Sequence, residues 1–390
     1  MKRHALNTSI LLGLSLSPAI VLAATEPALT VTASTAIAYD SNTYQSPSAD
    51  YDDPNLPPPT LVTPTVQSGL LTDLGLNAEY RLAGTRAEPA TLSYDFKGRI
   101  YLDSALTNAN EYMNTLRLGK LATTGKASSL DTGLSLHLSR QIYYDHDSGD
   151  NKLTSATATD ISNRYNYNAL AADASWTIKA HGIDYTVTGE LESRNYEDPI
   201  VVSQYDQDRM LLTGKMEIPL NSSNKFKLGY SYHTIDYTSK QARTLTAVTT
   251  GAPNLSYTYE DLTGTLLLRQ GQNTRYYFDY THSDRSDGFV GYNDYAANEF
   301  KLRILTASAG IKTRLAVAVQ DRDYPHALAF DKVGQANKTY SKTSVDLTFS
   351  DITLAGRPWW IDIGYDNQDT NDLRYNYDRY LATLGTDWEL

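Results

Sequence analysis

Residues 274–283 decide the fold, and they read Thr-Arg-Tyr-Tyr-Phe-Asp-Tyr-Thr-His-Ser. The rings of Tyr276, Phe278 and Tyr280 alternate with the more polar side chains of Arg275 and Asp279. Successive side chains of a β-strand point to opposite faces, so one face of this strand meets an apolar medium and the other meets water.

The same alternation recurs along the whole chain. It predicts strands near 29–40, 71–82, 91–103, 111–121, 130–144, 164–178, 183–196, 207–219, 225–237, 256–269, 274–285, 296–308, 311–322, 340–353, 358–367 and 378–390. No long apolar run follows the first two dozen residues. This pattern predicts an all-β fold, an antiparallel up-and-down transmembrane β-barrel of about 16 strands.

The gaps between these strands are alternately short and long. Short polar turns fall at 83–90, 122–128, 180–182, 221–224, 270–273, 309–310 and 355–357, and longer segments at 41–68, 145–163, 197–206, 239–254, 286–293 and 323–337. Barrels of the outer membrane place short turns in the periplasm and long loops outside. Both ends of the chain then lie on the periplasmic side, which requires an even number of strands. A soluble β-propeller would need no such one-sided loop lengths, and a soluble β-sandwich is the alternative all-β fold.

The first residues have the features of a secretory signal. Lys2, Arg3 and His4 precede an apolar run over 10–24 that ends in small residues. We expect a signal peptide at 1–24, cleaved near Ala23 or Ala24, and a barrel over 25–390. The alternative, a membrane-anchoring helix, needs roughly 20 apolar residues.

Composition narrows the class further. The chain has no Cys, which excludes disulfides and thiolate metal sites. It has 30 Tyr but only 7 Phe, and a phenol suits the aromatic girdles at the membrane–water boundary. A net charge of −11 argues against nucleic acid as a partner.

Two short segments resemble known barrel families. The final strand alternates Tyr380, Leu384, Trp388 and Leu390 with polar residues, and is similar to the C-terminal strand read by the outer-membrane assembly machinery, although that strand usually ends in Phe or Trp. Residues 39–42, Tyr-Asp-Ser-Asn, resemble the openings of several porin families and of surface-lipoprotein assembly modifiers. The resemblance to porin-like Gram-negative outer-membrane β-barrel proteins implies a location in the cell outer membrane, with lipid, lipopolysaccharide and the barrel assembly machinery as partners.

The inward face carries the functional hypothesis. Parity directs nine basic residues of the later strands inward: Lys225, Lys227, Arg269, Arg275, Lys301, Arg303, Lys312, Arg314 and Lys342. Earlier strands contribute more acidic residues, among them Asp95 and Glu190. A basic wall facing an acidic wall would orient polar solutes in a wet channel. We predict selectivity at Arg275, Lys301, Arg303 and Arg314 on the basic wall and at Asp95 and Glu190 on the acidic wall. The alternative is that these charges pair across the lumen and only fill it.

Other candidate sites have simpler explanations. The loop at 41–68 contains Pro57-Pro58-Pro59, a stiff run that suits either an inward constriction or, as we favour, an exposed surface loop. Residues 145–150, Asp-His-Asp-Ser-Gly-Asp, lack the later Glu of a calcium loop and are interpreted as a turn. His137 lies between Ser135 and Ser139, but residues two apart on a strand are about 7 Å apart. We therefore expect no catalytic residue, no metal, no cofactor and no enzyme activity.

The sequence thus predicts a porin, an outer-membrane channel for passive diffusion of small polar solutes. The alternative is an export or surface-assembly barrel for a polysaccharide or lipoprotein, working with periplasmic partners. General porins are often trimers, so a homo-oligomer stays open.

Overall fold

The computed structural model describes residues 29–56, 60–85, 87–141, 165–197 and 205–390. The expected signal segment, the Pro57–Pro59 run and residues 145–150 lie outside these ranges. Within them, sixteen strands close into one antiparallel barrel, and two short strands form a separate hairpin in the first long loop. The predicted fold class and strand number are confirmed.

The strands are numbered along the chain. They are β1 Leu29–Asp40, β2 Tyr51–Asp53, β3 Thr60–Val62, β4 Gly69–Gly84, β5 Pro89–Tyr101, β6 Glu111–Gly125, β7 Ser128–Gln141, β8 Tyr167–Ala180, β9 Ile183–Tyr196, β10 Gln207–Pro219, β11 Lys225–Gln241, β12 Asn254–Gln270, β13 Thr274–Asp287, β14 Tyr295–Ser308, β15 Ile311–Leu328, β16 Asn337–Leu354, β17 Arg357–Thr370 and β18 Tyr377–Glu389. The hairpin β2–β3 was not predicted. Neither were three short 3-10 helices, at Ser104–Ala109, Ala329–Asp331 and Leu373–Tyr375.

The barrel closes where its first strand meets its last. β1 pairs with β4 on one side and with β18 on the other, from Thr32 opposite Glu389 to Asp40 opposite Leu381. The shortest barrel strand has 12 residues. At about 3.3 Å per residue and a tilt near 45°, that length crosses an apolar band of roughly 25 Å.

The two faces of the wall differ as the alternation requires. On the outer face, Ile37, Leu191 and Phe300 expose 60%, 61% and 64% of their surface. On the inner face of the same sheet, Ala38 and Ala316 expose 1% each. Large apolar side chains that a soluble protein would bury therefore form a continuous outward belt, which is the surface of a barrel in lipid.

Several short turns close tightly at one end of the barrel. Ala309-Gly310 and Ala355-Gly356 have positive φ at both residues, 51° and 85° in the first and 51° and 77° in the second. Two such residues in succession form the turn whose twist matches paired antiparallel strands, and glycine accepts that backbone at little cost. No helix in the described ranges is long and apolar enough to cross a membrane.

Candidate functional site

The four residues predicted to form the basic wall lie on three neighbouring strands. Arg275 is on β13, Lys301 and Arg303 are on β14, and Arg314 is on β15. The strand register sets Lys301 opposite Asp279 and Ala318, and Arg303 opposite Tyr277 and Ala316. The structure therefore brings the four together on one inner wall.

Arg303 differs from the other three because it is paired. Its guanidinium donates to both carboxylate oxygens of Asp279, at 2.8 Å and 2.9 Å, and lies 4.6 Å from the centre of the Tyr277 ring. Thr265 donates a third hydrogen bond to Asp279, at 2.7 Å. A two-point contact of this kind fixes the guanidinium in place and neutralises its charge locally.

Arg275, Lys301 and Arg314 have no ion pair or side-chain hydrogen bond to any described residue. Their charges are thus available to a solute, whereas the charge of Arg303 is largely compensated. Long side chains lie over small ones here: Ala318 and Ala316, opposite Lys301 and Arg303, expose only 7% and 1%.

The wall is less uniformly basic than the sequence pattern suggested. Asp279, Asp346, Asp362 and Asp366 share the inward parity of the basic residues, and the expectation did not count them. Lys342 and Asp366 approach to 3.7 Å, and Asp346 lies within electrostatic reach of Arg314 and Lys301. The same period of two that selected the basic residues would have found these acids.

The predicted acidic residues are not close to one another. Asp95 on β5 lies seven strands from β14 in one direction and nine in the other, almost across the barrel. Glu190 on β9 lies five strands from β14. Asp95 approaches Lys97 to 3.7 Å. Glu190 lines a cavity of about 170 Å³ with Arg209, Leu211 and His233.

Ion pairs between the described strand residues follow the wall and do not cross the lumen. Among the described strand residues, each pair joins the same strand, adjacent strands or next-but-one strands; Arg99 with Asp73 at 3.0 Å and Arg117 with Asp173 at 2.8 Å are typical. Side chains lining a sixteen-strand barrel are too short to fill its interior. The charges therefore line a space and do not close it.

Tyrosine is used on the inner wall as well as at the membrane boundary. Near the long-loop end, Arg285 lies 4.5 Å and 4.4 Å from the ring centres of Tyr257 and Tyr295, and Tyr324 lies 5.6 Å from Tyr340. These rings belong to an inward arc that the composition argument had not separated from the girdles. The period of two on each strand, which places these rings on the same face as the inward charged residues, was the available signal.

The first long loop, L1 (41–68), turns into the mouth of the barrel. Tyr44 is fully buried and packs with Ala38, Leu71 and Tyr101 of the inner wall and with Leu106 of the 3-10 helix Ser104–Ala109. Asn42 is also fully buried and donates to the backbone of Ser46 and Asp378. The preference for an exposed surface loop is therefore wrong for its first residues, because an apolar ring beside the inner wall draws them inward.

A buried ionic contact joins L1 to the closing seam. Asp40 is fully buried and accepts from Arg379 at 3.0 Å and 2.5 Å, and from the Tyr101 hydroxyl at 2.9 Å. The backbone N–H of Asn42 donates a further bond to Asp40 at 3.1 Å. This network fixes β18, β1, β5 and L1 to one carboxylate.

The structure also shows the surroundings of His137 and how the possible metal ligands are grouped. His137 contacts the Thr115 hydroxyl through Nδ1 at 3.0 Å, while the Ser139 hydroxyl is buried without a partner among the described residues. Within the same ranges, no three residues of the types His, Asp and Glu are grouped so that they could hold a metal ion.

Comparison with known proteins gives similarity in fold. No protein-family model matches the sequence. No curated protein sequence matches it either. The chain is similar to the crystal structure of OccAB1 from Acinetobacter baumannii, with a TM-score of 0.54, 8% identity, and coverage of 93% of this chain and 97% of that one. For OccAB3 of the same organism the values are 0.50, 10%, 93% and 99%.

These neighbours are outer-membrane porins. The chain thus has the fold of a porin-like outer-membrane β-barrel, as the sequence predicted. At 8–10% identity the likeness extends to the fold alone.

Proposed function

We propose that this protein is an outer-membrane channel through which small polar solutes diffuse passively. The observation that carries the proposal is the closed sixteen-strand wall, whose inner face is polar and whose ion pairs run along the wall. A barrel of this size leaves an aqueous path unless a domain plugs it.

Selectivity in this proposal comes from the charged inner wall. Arg275, Lys301 and Arg314 attract anions, and Arg303 contributes less because Asp279 holds it. Asp95 and Glu190, on other parts of the wall, attract cations. A solute with both charges would be oriented between them in the field of the lumen. Permeation of this kind needs no catalytic residue and no cofactor.

The location follows from the outward belt and the fold. We propose that residues 1–24 are removed after export, that the assembly machinery inserts the barrel by its last strand, and that lipid and lipopolysaccharide surround it. Cell fractionation and the N-terminal sequence of the mature protein test this placement. A chain found in the inner membrane with its N-terminus intact would contradict it.

Liposome swelling tests the transport proposal. Purified protein in liposomes should admit small sugars and amino acids at rates that fall with solute size, and protein-free liposomes should not swell. An absence of flux would contradict passive diffusion. It would be the result expected of an export barrel that requires periplasmic partners.

A further inference from the structure

The carboxylate of Asp331 is a meeting point of four long-loop segments. Three of these long loops are L5 (242–253), L7 (329–336) and L8 (371–376). Asp331, in L7, accepts from Arg243 of L5 at 2.6 Å, from Lys338 at the start of β16 at 3.1 Å, and from Arg374 of L8 at 3.3 Å. The hydroxyl of Tyr292, between β13 and β14, donates at 3.3 Å.

A second carboxylate reinforces the first. Asp372 of L8 is fully buried and lies 3.2 Å from Lys338 and 2.7 Å from Arg374. It also accepts the backbone N–H of Phe330 at 2.9 Å. Two carboxylates thus share two cations, and Arg243 adds a third. We call Asp331, Asp372, Arg243, Lys338 and Arg374 the loop clasp.

L7 also reaches L1 on the other side. The Phe330 ring is 6% exposed and lies 6.1 Å from the ring of Tyr51, in the hairpin of L1. The side-chain amide of Asn55 donates to the Phe330 carbonyl at 2.9 Å. One loop therefore contacts both L1 and L5.

The backbone of L7 is strained at the clasp. Phe330 and Asp331 have φ of 57° and 52°, in the left-handed region. Such a backbone is unfavourable for a residue with a side chain, because the Cβ comes too close to the following carbonyl oxygen. The charges and the Phe330 contacts hold this conformation, which turns the Asp331 carboxylate toward L5 and L8.

Strand order shows what these contacts cover. L7 leaves the barrel between β15 and β16, L5 between β11 and β12, and L1 between β1 and β4. L7 therefore lies four strand positions from each, or about 19 Å along the wall at 4.8 Å per strand. The straight line between two roots a quarter of a circumference apart runs inside the rim of the barrel, so loops that touch along it lie over the lumen. Together they span eight of the sixteen strand positions.

We propose that the loop clasp narrows the outer mouth of the channel and sets the size limit for solutes. The inference rests on the proposed function and deepens it. The clasp and its contacts with L1 lie on the side of β11–β18 and β1. Breaking the clasp opens the roofed half and admits larger solutes.

The test uses two variants with opposite changes of charge. Asp331→Ala removes a negative charge and Arg243→Ala removes a positive one, yet both break the clasp. Single-channel conductance in planar bilayers, and its block by polyethylene glycols of graded size, should show a wider mouth in both. We expect conductance to rise by up to about twofold, since half of the mouth is roofed. Asp323→Ala is the matched control, because Asp323 lies on β15 and has no ion pair with a described residue.

The absence of Cys provides a reversible test. In an Arg243→Cys/Asp331→Cys variant, a short cleavable bifunctional thiol reagent should restore the narrow state, and cleavage should restore the wide one. Heat-modifiable migration on gels confirms that each barrel is closed; if Asp331→Ala does not fold, Arg243→Ala, which keeps Asp331, decides.

Unchanged conductance and size limit in both variants would overturn the inference. Conductance changes of opposite sign in Asp331→Ala and Arg243→Ala would also overturn it, because they would follow the charge and not the clasp. Wild-type protein that carries no current would overturn the proposed function itself. In that case the proposal that the clasp sets the size limit would fail as well.

Discussion

Arg303 on β14 and Asp279 on β13 form a two-point ion pair, at 2.8 Å and 2.9 Å, within the wall that carries the unpaired Lys301 and Arg314. The pair divides the predicted basic set into one residue that stiffens the wall and others that face solutes. The ion pair therefore distinguishes Arg303 from Lys301 and Arg314, whereas the sequence pattern predicted the same role for all three.

Replacing Arg275, Lys301 and Arg314 together by Gln should shift the reversal potential in a salt gradient toward cation preference. Removing fixed positive charge from a wet lumen lowers the local concentration of anions. Bilayer recordings at low salt measure the effect best, because screening is weakest there.

Arg303→Gln is the matched comparison. It removes one positive charge and should shift the reversal potential less than the same substitution at Arg275, Lys301 or Arg314. It should instead lower the free energy of unfolding by about 1 kcal/mol, the scale of a partly exposed ion pair. Equal shifts from Arg303 and Lys301, measured as single substitutions, would show that pairing does not matter for selectivity.

The outward belt can be tested at two consecutive residues of β14. Phe300 is 64% exposed on the outer face, and Glu299 points to the lumen. Phe300→Arg should destabilise the barrel in a bilayer by about 2–4 kcal/mol, the scale for arginine facing the middle of the lipid. Glu299→Arg should have little effect on stability. Urea unfolding from vesicles measures both, and a reversed order would contradict the assignment of faces.

Asp40→Asn should destabilise the closing seam. Asp40 is fully buried, and its loss as a charge leaves the Arg379 guanidinium without its partner. Breaking one side of a buried pair costs roughly 3–5 kcal/mol. Tyr101→Phe removes one hydrogen bond to the same carboxylate and should cost about 1 kcal/mol. If Asp40→Asn unfolds no more easily than Tyr101→Phe, the charge of Asp40 does not stabilise the seam.

The loop clasp should resist mild acid. Burial would raise the pKa of Asp331, but Lys338 and Arg243 outweigh it and hold that pKa below the ordinary value. Burial likewise opposes ionisation of Asp372, and the hydrogen bond and charge of Arg374 lower its pKa overall. Because the pKa of each carboxyl is lower in the folded state, its stabilising contribution is complete above the unfolded pKa of about 3.9. This contribution is lost as pH falls through the folded pKa.

Conductance should therefore stay constant from about pH 8 to pH 5 and rise only below about pH 4. Among the described residues, the groups that act on the two clasp carboxylates are the clasp's own Arg243, Lys338 and Arg374 and the phenols of Tyr292, Tyr340 and Tyr375, and none is a histidine. A transition between pH 6 and pH 7 would contradict this account.

Local alternation predicted the barrel almost completely, because a strand's two faces are set by residues two apart. β1, β9 and β10 have the predicted bounds, and β15 extends beyond them to Leu328. Strands ran longer toward the loops because pairing continues above the lipid, where the outer face is polar and the alternation signal is lost.

The mouth was far less predictable. The contacts of Asp331 with Arg243 and Arg374 join residues 88 and 43 positions apart in the chain, and no period links them. The inward turn of Tyr44 depends on Leu71 and Tyr101, which face each other only once β4 pairs with β5. Parity gives the direction of a side chain, but distances across a lumen require the closed sheet.

Single-channel recording of the purified wild-type protein tests the central claim most directly. An open, water-filled lumen predicts discrete conductance steps that increase with salt concentration, with a reversal potential that responds to the charge of the inner wall. A folded, heat-modifiable barrel that inserts into the bilayer and carries no current would contradict it.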